Sequence, residues 1–116
     1  MNKKPNSIFT GVKKPNINTL GIKYYNTRKD MDFNNLYELL YPYLLKTMRR
    51  VYSTEKAIVD DSIQMTLIKV VKYIHTYKPM YAFTTWVSRI LRNEFLLVKK
   101  TFAKKNEISL DEITGF

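Results

Sequence analysis

Phe83-Thr84-Thr85-Trp86-Val87-Ser88-Arg89-Ile90-Leu91-Arg92-Asn93 is the stretch that decides how this chain is read. Steps of three, four and seven return to the same face of an α-helix, so Trp86, Arg89, Asn93 and Lys100 fall on one stripe. Val87, Ile90, Leu91 and Phe95 form an apolar stripe beside it. The spacing predicts a helix from about Thr84 to Phe102, with Thr84 as its cap. One side of that helix is buried, and the other shows an indole, a guanidinium, an amide and an ammonium. An aromatic ring stacks on an unpaired base, Arg and Lys neutralise phosphates, and Asn pairs with a base edge. These groups together are suited to gripping opened DNA or RNA.

Working back from this helix, Tyr77-Lys78-Pro79-Met80-Tyr81-Ala82 is an aromatic loop without acids, and Pro79 ends whatever helix precedes it. Residues 53–76 read as a second helix, capped by Ser53 or Thr54. Its core stripe is predicted to be Val59, Ile63, Leu67, Val70, Val71 and Ile74. Asp60, Asp61, Gln64, Met65 and Ile68 lie off that stripe. Ordinary solvated surface would account for them. Acids in a basic chain, set beside apolar Met65 and Ile68, favour a protein-docking face. Residues 32–52 read as the first core helix, capped by Asp32, with Phe33, Leu36, Leu40, Tyr43, Leu44, Met48 and Val51 on its buried stripe. Pro42 is expected to kink or split it near Tyr41.

The 116 residues suit one small domain with tails, and a net charge of +10 favours a polyanionic partner. With no cysteine there is neither a disulfide framework nor a thiolate metal site. No apolar run approaches the length of a membrane span, so no membrane partner is expected. No Ser/His/Asp set, metal-ligand spacing or phosphate loop points to an enzyme, and no cofactor is implied. His75, the lone histidine, reads as packing or surface. Residues 1–31 read as a basic, disordered arm. Within it Lys3-Lys4-Pro5-Asn6 is echoed by Lys13-Lys14-Pro15-Asn16, and Pro5, Pro15, Gly11 and Gly21 count as breakers. Residues 107–116 read as a linker or tail. The fold class is thus all-α, with three helices read over residues 32–106.

Asp61-x-x-Gln64-x-Thr66-Leu67-Ile68-Lys69 followed by Tyr77-x-Pro79-x-x-x-Phe83-x-x-Trp86-x-x-Arg89-Ile90-x-Arg92-Asn93 resembles region 2 of bacterial RNA polymerase sigma factors. The small, extracytoplasmic-function type of the sigma-70 class is the most similar form, the likeness covers roughly residues 33–113, and it implies an all-α, three- to four-helix bundle. It implies that the second helix docks on the clamp helices of core RNA polymerase, through Asp60, Asp61, Gln64, Met65 and Ile68. It implies that the third helix and its loop capture the melted non-template strand of the promoter −10 element. Lys78, Tyr81, Phe83, Trp86, Arg89, Arg92 and Asn93, with the basic exit Lys99 and Lys100, are the expected DNA-binding set.

Some positions depart from the pattern. Met65 stands where the family has Glu, Ser62 where it has Leu, and Lys78 where it has Asp. The sequence also ends without the helix-turn-helix domain (region 4) that reads the −35 element; if these 116 residues are the whole protein, upstream promoter recognition is expected to come from a partner or from the basic repeat arm, or to be dispensed with. A phage-encoded factor would suit that economy, placing the protein in a bacterial or host cytoplasm. Two other readings compete: a truncated mimic that occupies the clamp helices without initiating transcription, and a general nucleic-acid-binding helical protein. Trp86 also has a plain reading, as core.

Overall fold

The computed structural model describes residues 15–105, all helix and short connections with no strand among them. Four helices are present: α1 (Ile17–Thr27), α2 (Asp30–Thr47), α3 (Lys56–Tyr73) and α4 (Phe83–Lys105). A wider π turn, Met48–Tyr52, prolongs α2, and a 3₁₀ turn, Ile74–Thr76, closes α3. No described helix is long and apolar enough to cross a membrane.

The largest departure from the sequence reading is α1. About a third of the supposed disordered arm, 11 residues, is a packed helix, so among the described residues the folded unit reaches back to Ile17 rather than beginning at 32. Pro15 does not break it, because it stands before the cap. Asn16 is the N-cap, and its side chain accepts the Thr19 N–H at 2.9 Å. Gly21 does not break it either. It is buried under the ring of Phe83, and a Cβ there would fall inside the van der Waals envelope of the Phe83 Cγ and Cδ atoms. Its lost helix propensity, about 1 kcal/mol, is the cost of bringing α1 this close to α4. The helix ends at Arg28, in the left-handed region at φ 57°, whose N–H bonds to the Tyr24 carbonyl. The first KKPN unit and residues 107–116 lie outside the described residues.

Asp32, expected as a cap, lies inside the first turn of α2 and ties α1 down. It accepts from the Thr27 hydroxyl at 2.5 Å and pairs with Lys23 at 3.7 Å. Pro42 does not divide α2. An interior proline costs about 3 kcal/mol, but Leu36, Leu40 and Leu44 are fully buried on one face, at roughly 1.5–3 kcal/mol each. The π turn follows, with the Ser53 N–H reaching the Met48 carbonyl at 2.9 Å. This wider winding sets Met48 in the core and lays Tyr52 against Phe95, centroids 4.9 Å apart. It also turns Val51, expected in the core, out to solvent.

In α3 the buried stripe is Val59, Ile63, Leu67, Val70 and Ile74, as the spacing predicts, but Val71 is 46% exposed. Ser62 and Thr66 are buried instead, and the Thr66 hydroxyl donates to the Ser62 carbonyl at 2.7 Å. Val87, Leu91 and Phe95 of α4 complete the core. Lys69 and Glu94 pair across the α3–α4 contact at 2.8 Å, with the Glu94 side chain almost wholly buried. Removing Lys69 strands that carboxylate. Lys69→Met is expected to cost about 3 kcal/mol, the low end for a broken buried pair because Lys69 is itself partly exposed. Urea denaturation checks this, and adding Glu94→Gln should restore most of the loss.

Candidate nucleic-acid interface

The expected cap of α4 comes from elsewhere in the chain. The Thr84 N–H donates to the Asn18 side chain of α1 at 3.0 Å, so α1 fixes the first turn of the helix that carries Trp86. Phe83, the first residue of α4, points inward and is 0% exposed. It was expected to contact a base. It is core instead, held between Gly21 and the Tyr77 and Trp86 rings.

Tyr77 is the buried support of the loop. Its ring meets Phe83 edge-on at 5.4 Å and lies 5.5 Å from Trp86, which is also 5.5 Å from Phe83. Its hydroxyl donates to the Tyr81 carbonyl at 2.5 Å, and the Tyr81 N–H bonds to the Lys78 carbonyl at 3.0 Å. Burial pushes the Tyr77 hydroxyl above the usual phenol range, so it stays protonated and holds the turn near neutral pH.

A cleft of about 500 Å³ opens over this support, between the 78–81 turn and the start of α4. Lys78, Tyr81, Trp86 and Arg89 line it, with Thr76, Tyr77 and Thr85. Trp86 is half-buried: part of the indole packs on Tyr77 and Phe83, and the rest faces the cleft. Tyr81 is 60% exposed. Among the described residues, Lys78, Arg89, Arg92 and Lys100 form no ion pair, so their charge is directed to solvent. Chemically the cleft is an aromatic slot with two cations at its edge, which fits a planar base and its phosphates.

Four of the expected DNA-binding residues therefore converge in the cleft: Lys78, Tyr81, Trp86 and Arg89. Arg92 and Asn93 are exposed about one turn further along α4 and do not line it. Lys100 is exposed roughly 16 Å along the helix axis from Arg89. Lys99 is a correction. It is 5% exposed, with its ammonium 5.1 Å from the Phe95 ring, and burial pulls its pKa below the usual lysine range. Phasing explains this: Lys99 follows Phe95 by four residues, on the inward side. Tyr77 and Thr85 were missed as site residues. The signal for Tyr77 was an aromatic two residues before a loop proline.

On α3, Asp61, Gln64, Met65 and Ile68 are all exposed. Asp60 is half-buried and engaged by Lys56 at 2.7 Å, so its charge is already answered. Gln64 forms a ridge between two grooves. One, of about 430 Å³, lies against α2 with Phe33, Tyr37, Ile68 and Val71, and the other lies against α4.

Compared with protein families, residues 36–98, just over half of the chain, match Sigma-70 region 2. No match is found among curated proteins or among solved structures. The matched span runs from Leu36 in the middle of α2 to Val98 in α4, and so includes the outer face of α3, the aromatic loop and the whole cleft. This chain belongs to the sigma-70 region 2 family, a class of transcription-initiation domains.

Proposed function

We propose that the chain docks on the clamp helices of core RNA polymerase through α3 and captures the melted non-template strand of the −10 element in the Trp86 cleft. The observation that carries this is the convergence of Tyr81, Trp86, Lys78 and Arg89 on one cleft of base-accepting size. Promoter opening needs no bond chemistry. It needs tighter binding to the open strand than to the duplex. Stacking contributes roughly 1–3 kcal/mol per base, and unstacking costs a few, so two or three held bases tip the balance. Exposed cations add a salt-dependent attraction that is blind to sequence.

The docking half rests on Asp61, Gln64, Met65 and Ile68, which leave a polar and apolar strip of α3 uncovered. Replacing both Asp61 and Gln64 with Ala is expected to weaken core polymerase binding roughly 10- to 100-fold, as two lost interfacial hydrogen bonds would, with the fold unchanged. Pull-down with core polymerase, then run-off transcription on A·T-rich promoters, tests both halves. Binding without transcripts would favour the occluding mimic. Unchanged polymerase binding in the double variant would defeat the docking assignment.

A further inference from the structure

Beside the cleft, α2 and α4 lie next to each other and run the same way. The Tyr43 and Ser88 hydroxyls bond at 3.0 Å, and further along both elements Tyr52 lies against Phe95, centroids 4.9 Å apart. Lys46 and Arg50 follow Tyr43 by one and two turns, so they stand on the flank of α2 that borders this seam. Arg92 follows Ser88 by one turn, on the facing flank of α4. All three are exposed, and among the described residues none forms an ion pair. Between Glu38 and Glu55 the chain carries no acid, and the one acid of α4, Glu94, is buried against Lys69.

The seam adjoins the cleft. Arg89 lines the cleft, and Arg92 stands one turn beyond it, about 5 Å along α4. Lys46 and Arg50 are neighbours on α2, roughly 5–6 Å apart at Cβ, so each can meet its own phosphate. What the seam lacks is a free ring. Tyr43 is half-buried with its hydroxyl engaged by Ser88, and Tyr52 is half-buried against Phe95. Cations without an exposed ring hold the backbone and leave the bases alone, which suits DNA whose bases are still paired. A strand opened into the cleft rejoins its duplex within a few nucleotides, which brings paired DNA within reach of the seam.

We propose that the α2–α4 seam, through Lys46, Arg50 and Arg92, grips the phosphates of the double-stranded DNA that adjoins the captured strand. That the duplex meets the open strand at this point rests on the strand-capture reading above, whereas the grip on paired DNA does not.

Fluorescence anisotropy of the full chain on a fully paired probe and on a short single strand tests this. Lys46→Ala with Arg50→Ala is expected to lower duplex affinity roughly 10- to 30-fold at about 150 mM salt, and to flatten the slope of log K against log salt by about 1.8. Affinity for the single strand should fall less than about threefold. The charge-keeping pair, Lys46→Arg with Arg50→Lys, should bind duplex within about twofold of the parent, because phosphate attraction follows charge. Lys29→Ala with Lys72→Ala removes the same charge from exposed positions elsewhere on the fold and should cost duplex binding less than about threefold. An equal loss from that control pair would reduce the effect to net charge and overturn the proposal. Equal losses on both probes would overturn it too, by giving the seam to the open strand. So would an unchanged duplex affinity with a lowered urea midpoint, which would leave Lys46 and Arg50 as partners of the helix end alone. Trp86→Ala reports the cleft separately. If it spares the single strand while the seam pair still loses duplex, strand capture fails and the seam stands; the reverse pattern sinks the seam alone.

Discussion

Phe83→Ala is expected to remove about 3–5 kcal/mol of stability, enough to unfold much of a small domain. The ring is fully buried and touches three separate elements: Gly21 in α1, Tyr77 in the loop and Trp86 in α4. The cavity would open beneath the cleft, so Trp86 should lose its support together with the core. Gly21 sharpens the test. Gly21→Ala alone should cost about 2 kcal/mol, because overpacking against the ring outweighs the gain of about 1 kcal/mol in helix propensity. Once the ring is gone, the same substitution should be neutral or mildly stabilising. Chemical denaturation of the four chains gives the coupling directly. If Phe83→Ala leaves too little folded chain to titrate, Phe83→Leu keeps the cycle measurable. An equal cost of Gly21→Ala in both backgrounds would mean that α1 does not pack there.

Trp86→Ala should reduce affinity for single-stranded −10 DNA roughly 10- to 100-fold, the equivalent of one lost stack. Duplex affinity should fall less than about threefold, since it depends on phosphate attraction from lysine and arginine rather than on the indole. Fluorescence anisotropy with matched single- and double-stranded probes measures both. Because the indole also packs on Tyr77 and Phe83, circular dichroism at the assay temperature must show the variant folded. Equal losses on the two probes would count against strand capture and leave Trp86 a packing residue.

Much of this architecture was legible as periodicity. Val59, Ile63, Leu67 and Val70 repeat at helical spacing, and so do Val87, Leu91 and Phe95, and all are buried. Four of the seven residues lining the cleft were legible too, Trp86 and Arg89 because they stand at motif positions on the helix, Lys78 and Tyr81 because they belong to the aromatic loop before it. What failed was local rule-reading where tertiary contact decides. Gly21 reads as a breaker until Phe83 is placed above it, and Pro15 until Asn16 is recognised as a cap. Phe83 and Lys99 belong to the right helix but face its inner side. Val51 was misplaced because a π turn has no periodic signature of its own and shifts the phase after it.

The bond from Thr84 to Asn18 joins positions 66 residues apart. A nascent chain leaving the ribosome therefore makes α1 long before its mate exists, with Ile17, Leu20 and Tyr24 lacking their eventual cover. Completion waits until Phe83 clears the exit tunnel, so the final docking step is late and long-range. Arrest of synthesis shortly before that point should yield a protease-sensitive intermediate, and arrest well beyond it a resistant one.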